Sequence, residues 1–187
     1  MPDPLKKDLV KDPEEFRVYL LYWADCVDYA YGFDDICKLN LLRPRALSFL
    51  KNANKELRAA VAQVNTSRPN PRAALNARMA TEIFLKTLLV AKCDLRDPEL
   101  KKLGHDLVRV CDAVQEKACA AEEIAMIKHL APTLPAIDDR YAGEDIDLCL
   151  VGNALSLCQM TATTVIRQFS DRDIRPQLFV QRPSISD

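Results

Sequence analysis

The sequence predicts a single all-α domain, an up-and-down helical bundle of about five or six helices. Apolar residues recur at alternating spacings of three and four along five segments, which is the period of an amphipathic helix. None of the segments shows the sustained alternation of a half-buried strand. Only four of the 187 residues are glycine, while alanine and leucine are abundant, and this composition favours helices over hairpins. Short connections between the segments predict mostly antiparallel neighbours.

The domain boundaries follow from the polar, proline-containing ends of the chain. We expect residues 1–12 to form a flexible arm and residues 13–171 to form one helical domain. We expect residues 172–187 to form an extended tail, because this stretch contains two prolines.

The segment Arg72–Cys93 is the predicted central helix. It is apolar almost all round except for a narrow ridge of Arg78, Glu82 and Lys86, so neighbours should cover most of its faces. Glu82 precedes Lys86 by four residues, the arrangement of an intrahelical salt bridge. We favour such a bridge on a partly exposed ridge; the alternative is that the pair faces a pocket and binds a polar ligand.

Two amphipathic helices precede the central one. The first should begin at Asp12-Pro13 and end near Gly32. Core packing is the default for its apolar stripe, which consists of Phe16, Leu20, Trp23, Val27 and Ala30. The second should span Asn40–Val64. Its expected buried residues are Leu47, Leu50, Ala53, Leu57, Val61 and Val64.

Four helical segments are predicted after the central helix. A short connector should begin at Asp97-Pro98 and end near Gly104, and an amphipathic helix should follow from Asp106. A shorter helix should end at Leu130. The last long helix has the most regular pattern, and its stripe is Leu148, Val151, Leu155, Cys158, Ala162, Val165 and Phe169.

The composition excludes some classes of function. A formal net charge of −1 provides no global field for nucleic acid or anionic membranes, so such binding would need a local patch. The seven cysteines are odd in number and lack CxxC or His-linked metal spacing, which indicates a reduced, cytoplasmic protein with no metal site and no cofactor. No signal sequence or membrane span is expected.

His105 is one of only two histidines and stands at a predicted helix start. It is either a ligand-binding or catalytic group beside the Glu82–Lys86 ridge, or a structural residue whose ring bonds a neighbouring carboxylate or backbone group. We favour the structural interpretation, because no second histidine or nucleophile accompanies it. Asp106 should cap the following helix.

Three motifs occur in an order that resembles the HEPN superfamily of small helical bundles. They are ARMATEIFLKTLLVAKC at residues 77–93, LGHDLVRVCDAV at residues 103–114, and RYAGEDIDL at residues 140–148 before a long helix. The resemblance covers roughly residues 41–169. It implies an HEPN-like bundle with an acid-and-lysine core helix, a GHDL-like helix start and an arginine segment before the last helix.

The resemblance also implies two classes of function. Many HEPN proteins are metal-independent ribonucleases in toxin–antitoxin and defence systems, and others bind nucleotides or act as non-catalytic modules. The nuclease members place a histidine after an arginine with four to six residues between them, whereas Arg140 is followed at these positions by Asp145, Ile146 and Asp147. We therefore expect a non-catalytic module that binds a nucleotide, RNA or a partner protein. The alternative is a divergent ribonuclease that uses Arg140 with His105.

The resemblance and the residues together define the candidate site and assembly. The ligand-binding candidates are Glu82, Lys86, His105, Arg109, Arg140 and Tyr141. HEPN relatives commonly pair next to the arginine segment, so we expect a C2 homodimer with two Arg140 residues near a shared groove. The flank of the last helix should supply Cys149, Met160 and Ile166, and the first helix offers a second surface with Tyr22 and Tyr29.

Overall fold

Helices account for most of the chain that the structure describes. A computed structural model of the protein describes residues 11–135 and 147–178. The helices are α1 Pro13–Leu39, α2 Pro44–Val64, α3 Ala73–Cys93, α4 Asp97–Leu103, α5 Leu107–Lys117, α6 Glu122–Leu130, α7 Leu148–Ile166 and α8 Arg175–Leu178, with a 3₁₀ turn at Ala131–Thr133. These ranges contain no strand. The predicted all-α bundle is confirmed, and the six long helices, α1–α3 and α5–α7, agree with the expected number.

The central position of α3 is confirmed. This helix packs most extensively against α2, and then against α7 and α5. Leu85 and Phe84 are fully buried on it, and Tyr29 of α1 meets the Phe84 ring edge-on with centroids 5.8 Å apart. The α3 helix begins at Ala73, one residue later than predicted, and Asn70 accepts a hydrogen bond from the backbone N–H of Arg72 in the preceding turn. Its near-continuous apolar surface is therefore the core of the bundle.

The first helix differs from the prediction in length and in its buried face. It continues through Gly32 to Leu39, because Gly32 is a packing position: a Cβ added there would lie 2.2 Å from Cγ2 of Ile166 on α7. The predicted stripe faces away from the core, and Phe16 and Trp23 are 44% and 48% exposed. The residues that α1 buries are instead Ala24, Asp28, Tyr29, Gly32 and Ile36.

The boundary between α1 and α2 also corrects the prediction. Asn40 ends α1 in the left-handed conformation with φ 53°, and α2 begins at Pro44. The face of α2 that packs on the core is rotated relative to the predicted stripe, because the small residues Ala46 and Ala60 allow close approach to α3. Val61, expected in the core, is 49% exposed. The buried residues of α2 are Ala46, Leu50, Ala53, Leu57 and Ala60.

The last long helix is buried more completely than a single stripe requires. Both Val165 and its neighbour Ile166 are fully buried. The prediction that Ile166 supplies apolar area on an exposed flank of this helix is therefore wrong. Tyr29 is also unavailable as a surface residue, because it is buried and its hydroxyl bonds Oδ1 of Asn54 at 2.8 Å. By length and composition α7 is apolar enough to cross a membrane, although no membrane span was expected from the sequence. Most of it is covered by the bundle.

The segment after Asp171 is not simply an extended tail. Residues 175–178 form a helical turn, and the backbone N–H of Ile174 donates to Oδ1 of Asp28 at 3.1 Å. Arg175 bonds Asp173 and reaches Glu123 of α6 at 3.0 Å. The guanidinium of Arg175 holds the pKa of Asp173 below its ordinary value. Charged side chains thus attach the described end of the chain to α1 and α6.

Arg167 neutralises two carboxylates of α1 at the end of α7. Its guanidinium pairs with Asp28, which is 1% exposed, and lies 2.8 Å from Oδ1 of Asp25. Burial raises the pKa of Asp25, although Arg167 acts in the opposite direction. Because the Arg167 side chain is itself only 9% exposed, this is a buried ion pair rather than a surface contact. Removal of one member of such a pair leaves the other charge buried without its counter-ion.

We predict that Arg167→Met lowers the free energy of unfolding by about 3–5 kcal/mol, because Asp28 would lose its counter-charge. The matched control is Arg172→Met, which removes an exposed pair with Asp35 between the same parts of the fold. That control should change the stability little. Chemical denaturation followed by circular dichroism measures both, and equal effects of the two substitutions would contradict the assignment.

Candidate functional site

The charged ridge of α3 lies beneath the loop between α4 and α5. Arg78, Glu82 and Lys86 follow one another at intervals of four residues, so they lie along one side of α3. Glu82 is 4% exposed and Arg78 is 9% exposed. The prediction that this ridge is partly exposed is therefore wrong. The loop at Gly104 and His105 covers the ridge, and this is where the candidate site forms.

Local sequence signals place this loop. The short helix α4 begins at Asp97 and has a proline as its second residue, and the carboxylate of Glu99 accepts from the backbone N–H of Arg96 at 2.8 Å. It ends at Gly104, whose φ of 63° is a conformation that side-chain-bearing residues rarely adopt. Asp106 then caps α5 by accepting from the N–H groups of Val108 and Arg109. The predicted helix bounds and the Asp106 cap are confirmed.

The carboxylate of Glu82 is the centre of the site. Lys86 Nζ lies 2.7 Å from Oε1 of Glu82, which confirms the predicted i, i+4 salt bridge. The same ammonium group donates to the carbonyl oxygen of Gly104 at 2.7 Å. His105 places Nδ1 at 3.1 Å and 3.2 Å from the two Glu82 oxygens. Arg78 donates to the His105 carbonyl at 2.8 Å, so three ridge residues fasten one loop.

The contact with Glu82 determines which nitrogen of His105 is available. A carboxylate accepts hydrogen bonds, so Nδ1 carries the proton that His105 donates to Glu82. In the neutral ring Nε2 is then an acceptor. The His105 side chain is 71% exposed, and a ligand can therefore reach it from solvent. The contact agrees with the structural interpretation of His105, and because Nδ1 is the nitrogen that bonds Glu82, Nε2 can accept from a second partner.

A cleft of about 290 Å³ opens beside His105. Phe49 of α2 provides an aromatic surface, and Arg45 places its guanidinium 5.8 Å from the centre of that ring. Arg45 also pairs with Asp97 at 2.7 Å, so the carboxylate in the cleft has a counter-charge. The residues that line the cleft are Phe49, Lys86, Asp97, Leu100, Lys101, Gly104 and His105.

The structure brings together three of the six candidate residues. Glu82, Lys86 and His105 are in direct contact, whereas Arg109 is exposed on the first turn of α5 and does not line the cleft. Arg140 and Tyr141 lie outside the described residues. In ranges 11–135 and 147–178, no group of three or more His, Cys, Asp or Glu side chains is arranged to hold a metal ion.

Sequence reasoning missed the residues that other helices contribute to the site. Phe49 and Arg45 come from α2, and their apolar-and-basic pattern is common on solvated helix faces. Lys101 and the carbonyl of Gly104 carry no distinctive motif beyond the helix-ending glycine. Arg78 was recognisable, because it stands one turn before Glu82 on the same ridge. These groups come together only because the Gly104–His105 loop bonds to α3 and Asp97 of α4 bonds to Arg45 of α2.

Two cysteines serve packing. Cys111 and Cys158 are fully buried, and burial raises the pKa of each thiol to about 12. Thiols of this kind are protonated at neutral pH and are poor nucleophiles. They agree with the prediction that cysteines at apolar helix positions behave as small hydrophobic residues.

Compared with known proteins, the chain matches no protein-family model, and neither a curated protein nor a solved structure matches it significantly. The resemblance to the HEPN superfamily stays a prediction that rests on the three motifs.

We predict that Glu82→Gln lowers the free energy of unfolding by about 3–5 kcal/mol, because Lys86 would be buried without its counter-charge. The double variant Glu82→Gln/Lys86→Met should recover part of the loss, since it removes both charges. Asp34→Asn is the matched control, because Asp34 and Lys38 form an exposed i, i+4 pair on α1. The free energies of unfolding can be compared by chemical denaturation. If the loss in the double variant equals the sum of the losses in the two single variants, Glu82 and Lys86 are not energetically coupled.

Proposed function

We propose that the protein is a non-catalytic, HEPN-like module that binds a nucleotide in the cleft beside His105. The observation that supports this most directly is the combination of an aromatic ring with cationic groups in one cleft. Phe49 offers a stacking surface for a base, Lys101 offers positive charge and hydrogen-bond donors for a phosphate, and Nε2 of His105 offers an acceptor for a base N–H or a ribose hydroxyl. Asp97 is compatible with an anionic ligand, because Arg45 already pairs with it.

The size and the donors of the cleft favour a small ligand. A volume of about 290 Å³ is near the lower end of the usual range for small-molecule sites and suits a mononucleotide or one nucleotide of an RNA strand. Asp106 occupies N–H groups at the start of α5, so the phosphate would depend on side chains rather than on the helix terminus. Lys86 donates one hydrogen bond to Glu82 and one to the carbonyl of Gly104, so at most one of its three N–H donors is available to a ligand.

We predict that at least one of the four ribonucleoside 5′-monophosphates binds and shifts the NMR signals of Gly104 and His105. Titration calorimetry should show that Phe49→Leu weakens binding roughly tenfold or more, as expected for the loss of base stacking. Lys101→Ala should also weaken it, whereas the neighbouring Lys102→Ala, which does not line the cleft, is the control. Absence of binding by all four nucleotides at millimolar concentration would overturn the proposal.

A divergent metal-independent ribonuclease is the second candidate. The observation that favours it is the orientation of His105, because a carboxylate bonded to Nδ1 leaves Nε2 free to accept a proton. One imidazole provides only one acid–base group, and the histidine that HEPN nucleases place after the arginine is missing from this sequence. The non-catalytic function therefore has the stronger support.

We expect that the purified protein does not cleave RNA above background in the presence of EDTA. The assay compares the wild type with His105→Ala and Arg140→Ala on a labelled single-stranded RNA. Cleavage that resists EDTA and disappears in either variant would establish the ribonuclease in place of the non-catalytic module. Cleavage that both variants retain would indicate a contaminating enzyme.

A further inference from the structure

The carboxylate of Asp97 lines the cleft beside His105 and has most of its hydrogen-bonding capacity unused. The Asp97 side chain is 73% exposed, and its Oδ1 accepts a hydrogen bond from Arg45 at 2.7 Å. Among the described residues, none donates to its Oδ2. An ionised carboxylate has two oxygens and about four acceptor positions. Asp97 can therefore accept at least two more hydrogen bonds from a ligand.

Arg45 fixes where this carboxylate lies relative to the aromatic surface of the cleft. Its guanidinium bonds Oδ1 of Asp97, donates to the carbonyl oxygen of Leu95 at 2.6 Å and lies 5.8 Å from the centre of the Phe49 ring. One side chain thus contacts both the ring and the carboxylate. Because Phe49 and Asp97 also line the same cleft, a planar group that stacks on Phe49 can present one of its edges to Asp97.

Asp97 and Lys101 occupy successive turns of α4. They are four residues apart, so they lie on the same side of the helix, about 6 Å apart along its axis. Lys101 is the residue to which we assign the phosphate of the nucleotide. A nucleotide whose base edge lies at Asp97 therefore has a cation for its phosphate one helical turn further along, and Leu100 adds apolar surface to the same cleft.

The four ribonucleotide bases differ in what their pairing edges offer to a carboxylate. Guanine presents two neighbouring donors, N1–H and the 2-amino group, and a carboxylate can accept from both in a bidentate contact. Adenine and cytosine each present one amino donor beside a ring nitrogen that is an acceptor. Uracil presents one N–H between two carbonyl oxygens. These three bases would each place an acceptor against an oxygen of Asp97, and two acceptors facing each other repel.

We propose that the cleft selects guanine, with the base stacked on Phe49 and its N1–H and 2-amino groups donating to Asp97. The inference rests on the proposed function, because it names which nucleotide that cleft binds. Arg45 is then a positioning residue that holds Asp97 and leaves Oδ2 and a second lone pair of Oδ1 for the base. A site built to pair with particular donors rejects analogues that lack one of them.

Titration calorimetry with a set of nucleoside 5′-monophosphates tests this selection. GMP should bind at least about ten times more tightly than AMP, CMP and UMP. Inosine 5′-monophosphate differs from GMP only in lacking the 2-amino group, so it should also bind about tenfold more weakly. Failure of every nucleotide to bind overturns both the inference and the proposed function. Binding of another of these nucleotides as tightly as GMP overturns the inference alone.

Asp97→Asn should exchange the preference of the cleft rather than abolish binding. The amide oxygen still accepts from N1–H, but the amide NH₂ is a donor and opposes the 2-amino group of guanine. Xanthosine 5′-monophosphate carries a carbonyl oxygen at that position and should bind the variant about tenfold more tightly than GMP does. Such a gain requires a folded variant. If the variant keeps the wild-type preference for GMP, Asp97 does not read the base and the inference is wrong.

Asp94→Asn is the matched control for this variant. Asp94 precedes Asp97 by three residues and is also largely exposed, but it does not line the cleft. Its φ of 52° is a left-handed conformation that asparagine tolerates. The substitution removes the same charge and should leave the ratio of the GMP and inosine 5′-monophosphate affinities unchanged. An equal loss of selectivity in both variants would indicate a general effect of charge and overturn the assignment to Asp97.

Oligonucleotides distinguish a free guanine nucleotide from a guanosine in an RNA strand. Fluorescence anisotropy compares a short uridine oligonucleotide that contains one central guanosine with the all-uridine strand, and competition with GMP relates both to the free nucleotide. A guanosine-containing strand that binds more tightly than the all-uridine strand and GMP identifies RNA as the source of the base. Tighter binding of GMP than of either strand identifies the free nucleotide. If both strands bind equally and more tightly than GMP, the base is not read and the inference is overturned.

Discussion

The carboxylate of Glu82 is the constraint on which the candidate site depends. A charge with 4% exposure must be neutralised, and Lys86 and His105 both contact it. Those contacts hold the Gly104–His105 loop against α3, with Arg78 bonding the same loop from one turn earlier. The start of α5 and the wall of the cleft follow from this arrangement. One buried acid on the central helix thus connects the core of the bundle to an exposed histidine.

The same constraint shapes the chemistry of the site. Because Glu82 accepts from Nδ1 of His105, the imidazole presents Nε2 to solvent beside Phe49 and Lys101. These groups can stack on a base, attract a phosphate and accept a hydrogen bond. None of the seven residues that line the cleft is a serine, threonine or cysteine, and His105 is the only histidine among them. These properties are the basis of our proposal that the cleft binds a nucleotide.

Small residues decide how the outer helices meet the core. Gly32 lets α1 approach Ile166 of α7, and this close contact determines which side of α1 turns inward. The buried pair of Arg167 and Asp28 lies at the same interface. The larger, more regular apolar set of α1 is consequently directed outward, where Phe16 and Trp23 stay about half exposed. One contact with α7 thus explains both the close packing of α1 and the exposure of Phe16 and Trp23 among the described residues.

The sequence by itself determined the helical fold, the central helix, the Glu82–Lys86 pair and the Asp106 cap, because these depend on residues within about one helical turn of each other. It did not determine the inward face of α1, since two sets of residues have helical spacing and burial depends on the partner helix. Nor did it determine the cleft, because Phe49, Lys101 and His105 approach only when α2 and α5 pack on α3 and the Gly104–His105 loop bonds to α3. The regular apolar stripe of α1 was predicted to lie in the core. It is exposed instead, because the contact between Gly32 and Ile166, which are far apart in sequence, turns the opposite side of α1 inward. Local spacing defines helices, and only tertiary packing decides which sides of them are buried.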